Sequence, residues 1–167
     1  HPTPEWIEKI SDMHLFDQGW NKLRETIFEN QKRLGIMPEN AKLTEWPKEL
    51  PEWDSKSDLE KKLFIKQMDV YAAYLAYTDN EIGRVIQSVE DMGRLDNTLI
   101  IYINGDNGAS SEGMLDGTPN EFTFFNGVAV PVKAQMLWYP FWGSNKTFPH
   151  YAAEWAWAMS TPFKWVK

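Results

Sequence analysis

The clearest pattern in the sequence is a stripe of apolar positions that recur in steps of four and three. Such spacing places one apolar face along an α-helix. Ser57 and Glu60 precede the stripe with the spacing of a capping box, and Gly93 follows it where a left-handed cap is favoured. The pattern therefore predicts one amphipathic helix of about 50 Å, at 1.5 Å per residue. Its stripe consists of Phe64, Met68, Tyr71, Leu75, Thr78, Ile82, Val85 and Val89.

A nearly unbroken apolar run, residues 99–103, follows the long helix after a short turn at residues 94–97. β-Branched and aromatic residues without alternation are typical of a strand that is covered on both faces in a parallel sheet. A helix that feeds such a strand is half of a βαβ unit, and the sequence upstream offers no partner strand. The fold class predicted is α/β, with further strands supplied from outside these residues.

Shorter elements are predicted on both sides of this unit. Thr3 is expected to cap a helix over residues 4–10, and Asp17 to cap a second one that ends at Gly35. Residues 36–56 are punctuated by proline and predict an irregular surface connection. Downstream, the pattern predicts helices over residues 120–125 and 151–158 and a strand over residues 134–138.

The strand over residues 99–103 ends in Gly105-Asp106-Asn107-Gly108. In open α/β sheets ligands bind at the carboxyl ends of the strands, and a carboxylate beside an amide suits a hard cation such as calcium. The same residue types are also the commonest turn formers. The tetrapeptide by itself leaves both interpretations open.

Composition narrows the classes of function. The net charge of −7 and the lack of a basic cluster argue against nucleic acid as the partner. The absence of cysteine excludes disulfides, thiolate metal sites and a cysteine nucleophile within these residues. No apolar run approaches the roughly 20 residues that span a membrane. The sequence begins at His1 rather than at Met, so the absence of a signal peptide does not indicate in which compartment the protein resides.

Several other candidates for chemistry receive structural interpretations. Five tryptophans could stack on sugar rings, but large aromatic side chains more often fill a core or an interface. The three histidines are too scattered in sequence to indicate a metal cluster. Ser110 and Ser111 lack the nucleophile elbow of serine hydrolases. The five tryptophans are Trp138, Trp142, Trp155, Trp157 and Trp165.

An ordered set of short motifs resembles the type I sulfatase (arylsulfatase) family of the alkaline-phosphatase-like superfamily. The set comprises V-Y-A-A-Y at residues 70–74, T-D at 78–79, I-G-R-V-I at 82–86, L-D-N-T at 95–98, G-D-N-G-A at 105–109 and the segment 150–167. The resemblance implies that residues 1–167 form part of a sulfatase catalytic domain, an α/β/α sandwich whose remainder lies outside this chain.

The resemblance also implies a site. Asp106 and Asn107 match the family's metal pair, which with two further aspartates holds a divalent ion, usually calcium. Lys167 matches the lysine that contacts the sulfate oxygens, with Lys164 as the fallback. The family's nucleophile is a formylglycine from a [C/S]-x-P-S-R motif that this sequence lacks. His1 stands too close to Pro4-Glu5-Trp6 to match the family's catalytic histidine, and it is left out of the site.

The function expected from the resemblance is hydrolysis of sulfate esters of small molecules or glycans by the complete protein. Residues 1–167 alone are expected to be inactive. Two alternatives remain open: a phosphodiesterase or phosphonate monoester hydrolase of the same superfamily, and a non-catalytic, aromatic-rich module that binds glycans. The sequence does not identify the sulfate ester or the oligomeric state.

Overall fold

The computed structural model describes residues 1–105 and 107–167, which form six α-helices joined by turns and irregular segments. The helices are α1 (Pro4–Ser11), α2 (Gly19–Arg33), α3 (Asp58–Asp91), α4 (Phe122–Phe125), α5 (Val132–Gln135) and α6 (Ala153–Met159). Single turns of 3-10 helix lie at Trp53–Ser55, Leu95–Asn97 and Tyr139–Phe141. Within the described ranges, β-pairing is limited to isolated bridges between Thr118 and His150 and between Asn120 and Phe148.

The long helix α3 begins and ends where the sequence predicts. The backbone N–H of Ser57 donates to Glu60 Oε2 at 2.8 Å, and the Glu60 N–H donates to Ser57 Oγ at 3.4 Å, which completes the capping box. Gly93 follows the helix with a φ of +65°, the left-handed conformation that glycine adopts without a steric penalty. Both ends of the helix are therefore determined by local sequence.

The apolar stripe of α3 is covered along only part of its length. Phe64 and Met68 are buried in the core, and the first half of the helix packs against α1, where Ser11 Oγ donates to Asp69 Oδ2 at 2.5 Å. Further along, Leu75 is 49% exposed and Val85 is 65% exposed. The second half of the stripe is therefore exposed to solvent.

The core is dominated by aromatic side chains from α2, α3 and α6. Trp20, Phe64 and Trp155 are fully buried, with the ring of Trp20 centred 5.4 Å from each of the other two. Trp155 Nε1 donates to the backbone oxygen of Phe64 at 3.1 Å, which satisfies its one polar atom. Trp53, from the segment predicted to be a surface connection, is also buried here.

The tryptophans at the far end of the sequence divide into two groups. Trp142, Trp155 and Trp157 are buried, which confirms the core interpretation for these three. Trp138 and Trp165 are exposed. A flat row of tryptophans for stacking on sugars is therefore not what these side chains form.

The prediction of a buried strand over residues 99–103 is wrong for this structure. These residues have no strand hydrogen bonds, and each side chain is exposed, Leu99 by 85% and Ile103 by 86%. A strand is held by N–H and C=O groups of a neighbouring strand, and no segment within residues 1–105 and 107–167 forms β-bridges with this one. The apolar run has the composition of a covered strand but lacks the neighbours that would cover it.

The prediction of a strand over residues 134–138 is also wrong. Residues 132–135 form α5, and the buried side chain of Gln135 replaces a β-ladder as the local source of hydrogen bonds. Its Nε2 lies within hydrogen-bonding distance of three backbone oxygens, at 3.1 Å from Asp116, 3.0 Å from Gly117 and 2.8 Å from Val130. This amide fixes the helix against the preceding loop.

The remaining helix predictions are confirmed, but neither predicted cap forms as expected. Helices α1, α4 and α6 correspond to the predictions over residues 4–10, 120–125 and 151–158. Thr3 is the N-cap residue of α1, but its side chain makes no capping hydrogen bond. Helix α2 begins at Gly19 after Gln18, so Asp17 does not cap it, and the Asp17 carboxylate instead pairs with His14 Nδ1 at 2.9 Å. None of the helices found in the described residues combines the length and apolar character needed to cross a bilayer.

Candidate functional site

The glycine-rich loop after residues 99–103 is the first part of the candidate site. Asp106 lies outside the described residues. Asn107 is exposed, and Gly108 has a φ of +82°, which turns the chain sharply before Ala109. The loop therefore presents its polar side chain at the surface rather than in the core.

Two hydrogen-bonded contacts hold Lys167 beside this loop. The backbone N–H of Lys167 donates to the oxygen of Ala109 at 2.9 Å. The Lys167 oxygen accepts from the Ser111 N–H at 3.2 Å and from Ser111 Oγ at 3.0 Å. Lys167 and the segment from Ala109 to Ser111 are about 60 positions apart in the sequence, and these hydrogen bonds make them neighbours in the structure.

The end of α6 supports the same loop from below. Ser160, the buried residue that follows the helix, accepts a hydrogen bond at its Oγ from the Ala109 N–H at 3.2 Å. A Cβ built on Gly108 would stand 3.4 Å from this oxygen, so the loop already lies in close contact with the helix end. Ser160 therefore connects the end of α6, which packs in the core, to the loop.

A cavity of about 590 Å³ opens next to this arrangement. Gly108 and Lys167 line it, which places both sequence-predicted segments on one concave surface. Lys164, the alternative lysine, is exposed and is not among the described residues that line the cavity. The volume is within the range of about 300–1,000 Å³ that small-molecule sites occupy.

One wall of the cavity is apolar and mostly aromatic. Tyr71 and Tyr151 meet edge to face with ring centroids 4.7 Å apart, and the buried Trp142 also lines the cavity. Phe148 stands half-exposed at the rim, 5.9 Å from the ring of Phe122. This wall can contact the organic part of a ligand over a large area.

Titratable groups that the sequence did not identify also line the cavity. Glu112, Glu121 and His150 line it together with Lys167, and His1 also contributes to the lining. Ser110 Oγ donates to Glu112 Oε2 at 3.0 Å, and the Glu121 N–H donates to the oxygen of Phe148 at 2.8 Å. No motif connects these residues in the sequence, since the packing of the loops brings them together.

Burial raises the pKa of Tyr151 far above its ordinary value, and the negative charge of Glu112 acts in the same direction. The hydroxyl of Tyr151 therefore keeps its proton at any physiological pH. It is available to the cavity as a neutral hydrogen-bonding group and not as a base.

The residues that could hold a metal ion are few. A carboxylate and an amide oxygen at positions 106 and 107 are hard donors of the kind calcium prefers, but calcium takes six to eight oxygens. The described part of the chain contains no group of three histidine, aspartate or glutamate side chains that could complete the set. The chemistry of the pair fits part of a calcium site, with the other ligands to be supplied from elsewhere.

Comparison with known proteins gives concordant results. The sequence profile of the Sulfatase family matches residues 12–157. The chain is 32% identical to an uncharacterised sulfatase of Schizosaccharomyces pombe, over 98% of this chain and 28% of that protein. It is 27% identical to an arylsulfatase of Klebsiella aerogenes, over 95% of this chain and 32% of that protein. The chain therefore spans about a third or less of the length of each of these relatives.

Proposed function

Because this chain belongs to the sulfatase family, as the match over residues 12–157 shows, we propose that it forms part of a metal-dependent hydrolase of sulfate esters. Family membership implies an alkaline-phosphatase-like fold for the complete domain. In the complete domain we expect the exposed apolar residues 99–103 to be covered by the rest of the protein. The exposed apolar half of α3 would be covered by the same assembly.

The observation that carries the proposal is the pairing of Lys167 with Ala109. Asp106, Asn107 and Lys167 were assigned to one site from sequence motifs alone. The backbone hydrogen bond of 2.9 Å between residues 109 and 167 brings the two motifs side by side. We expect a sulfate group bound beside this contact to be within reach of the Lys167 side chain and of the loop that carries the proposed metal ligands.

Asp106 and Asn107 would hold the calcium ion through one carboxylate and one amide oxygen. When bound, the ion would offset the negative charge of the sulfate group. Lys167 supplies a second positive charge toward the sulfate oxygens and stabilises the charge that develops on the leaving oxygen. The backbone contacts at Ala109 and Ser111 hold Lys167 in position for this role.

The nucleophile of the proposed reaction lies outside this chain. Residues 1–167 contain no [C/S]-x-P-S-R motif from which a formylglycine could be made. We therefore propose that these residues alone do not hydrolyse sulfate esters. The complete protein would combine the nucleophile and the missing metal ligands with the cavity described above.

Hydrolysis of matched esters by the complete protein that contains these residues tests the proposal. We expect release of 4-nitrophenol from 4-nitrophenyl sulfate at a kcat/KM well above that for the phosphodiester bis(4-nitrophenyl) phosphate, and loss of the activity when a chelator removes calcium. The isolated residues 1–167 serve as the control and are expected to show no release. A preference for the phosphate ester would instead identify a phosphodiesterase or phosphonate hydrolase, and no hydrolysis of either would leave the glycan-binding alternative.

A further inference from the structure

The cavity beside Lys167 has an uneven distribution of charge. Lys167 stands next to the glycine-rich loop, where the proposed function places the sulfate group. Glu112 and Glu121, which are acidic residues, line the same cavity. The cavity therefore contains a basic residue that attracts anions, Lys167, and two acidic residues that repel them, Glu112 and Glu121.

Both carboxylates belong to ordered parts of the structure. Glu112 accepts a hydrogen bond from Ser110 Oγ, and its charge adds to the larger effect of burial, which raises the pKa of Tyr151. Glu121 is fixed through its backbone N–H, which donates to the oxygen of Phe148 in the aromatic wall. Neither side chain takes part in an ion pair among the described residues, so their charges are not neutralised by a neighbouring cation.

We propose that Glu112 and Glu121 select substrates whose alcohol portion is uncharged or cationic and exclude those that carry a second anionic group. This inference rests on the proposed function, because it takes the sulfate group to lie at Lys167. The apolar wall of Tyr71, Trp142 and Phe148 would contact the organic part of such a monoanionic ester. Esters with a further carboxylate or sulfate would bring like charges together in a partly desolvated space.

Equilibrium binding of sulfonates to the complete protein tests this selection. The three probes are 4-ethylbenzenesulfonate, 4-(2-aminoethyl)benzenesulfonate and 4-(2-carboxyethyl)benzenesulfonate, which differ in the charge of the tail. Their carbon–sulfur bond is not a sulfate ester, so binding is measured without turnover. We expect the neutral and cationic probes to bind at least about tenfold more tightly than the carboxylate, measured by titration calorimetry.

Replacement of both carboxylates assigns the selection to these residues. In the Glu112→Gln, Glu121→Gln double variant the ratio between the neutral and the carboxylate probes should fall close to one. Glu39→Gln, which removes an exposed carboxylate elsewhere, should leave the ratio unchanged. Equal binding of all three probes to the unaltered protein, an unchanged ratio in the double variant, or no binding of the neutral probe would each overturn the inference.

The outcome is separable from that of the proposed function. Selection by charge is read from a ratio of dissociation constants for compounds that are not hydrolysed. The hydrolytic activity is read from 4-nitrophenyl esters. A protein that preferred phosphate esters but showed the expected ratio would contradict the sulfatase assignment and retain the selection by Glu112 and Glu121.

Discussion

Gly113 shows how a single residue positions the wall of the cavity. It is buried, and a Cβ at this position would collide with the backbone oxygen of Tyr151 and stand 2.9 Å from His150 Nδ1. Glycine alone allows the loop that carries Glu112 to lie against the segment that carries His150 and Tyr151. Two of the cavity's lining segments are therefore in contact because one side chain is missing.

Replacement of Gly113 by alanine should destabilise the chain by about 2–3 kcal/mol, because backbone atoms on both sides must move apart. The free energy of unfolding, from urea denaturation followed by tryptophan fluorescence, measures the effect. Gly83→Ala is the matched control, since nothing lies within 4 Å of the added methyl group and alanine favours the helix by up to about 1 kcal/mol. Equal stability of the Gly113→Ala variant and the unaltered chain would contradict the contact with Tyr151.

The residues of the candidate site differ in how far sequence could identify them. Asn107 and Lys167 were named because their neighbours resemble a family motif, and the structure then places Lys167 beside Ala109. Glu112, Glu121 and His150 were missed, because they meet only after the loops fold against one another. His1 was left out on spacing, and the structure places it in the lining of the cavity without assigning it a role.

At the scale of elements, α6 is notable because it buries an acidic side chain. Residues 153–158 are all buried, including Glu154, whose side chain is fully enclosed. Lys56 Nζ stands 3.7 Å from Glu154 Oε1, and among the described residues neither carboxylate oxygen has a hydrogen-bond partner. Burial raises the pKa of Glu154 to about 7, and the charge of Lys56 offsets only part of this effect.

The raised pKa makes stability depend on pH in a defined direction. The folded chain keeps a proton on Glu154 up to about pH 7, whereas the unfolded chain releases it near 4.5. The contribution of Glu154 is therefore fully present below about pH 4.5 and is lost as the pH rises to about 7, by about 3 kcal/mol in all.

Glu154→Gln should remove this dependence, because the amide stays neutral at every pH. Relative to the unaltered chain, the variant should gain stability at pH 8 but not at pH 4.5, as measured by urea denaturation at both values. The exposed Glu39→Gln provides the control for loss of a carboxylate. The same difference in stability at both pH values would show that the pKa of Glu154 is equal in the folded and the unfolded chain.

Helices were predictable here because their signals are local. The capping box of Ser57 and Glu60, the three-to-four spacing and Gly93 together determine α3 without help from other elements. The two strand predictions failed for different physical reasons. Within the part of the chain that the structure describes, residues 99–103 pair with no other strand. Residues 132–135 instead form a helix, which the buried amide of Gln135 holds against the preceding loop.

At the scale of the whole molecule, the aromatic core and the candidate site are connected by short contacts. Trp155 of α6 packs in the core, and Ser160 at the end of the same helix supports Ala109 in the loop. The exposed half of α3 and residues 99–103 lie on the part of the chain that is left uncovered. Family membership was recognisable from sequence, whereas the exposure of these segments was not.

We propose that Lys167, which is hydrogen-bonded to Ala109 in the glycine-rich loop, contacts the sulfate group. The most direct measurement is kcat/KM for 4-nitrophenyl sulfate in the complete protein with Lys167→Ala and, as the matched control, Lys164→Ala. Loss of the positive charge at residue 167 should lower kcat/KM by about 100-fold, as for removal of a group that stabilises developing charge. The Lys164→Ala variant should stay within about threefold of the unaltered protein, because Lys164 does not line the cavity. An equal loss in both variants, or near-normal activity in Lys167→Ala, would contradict the account.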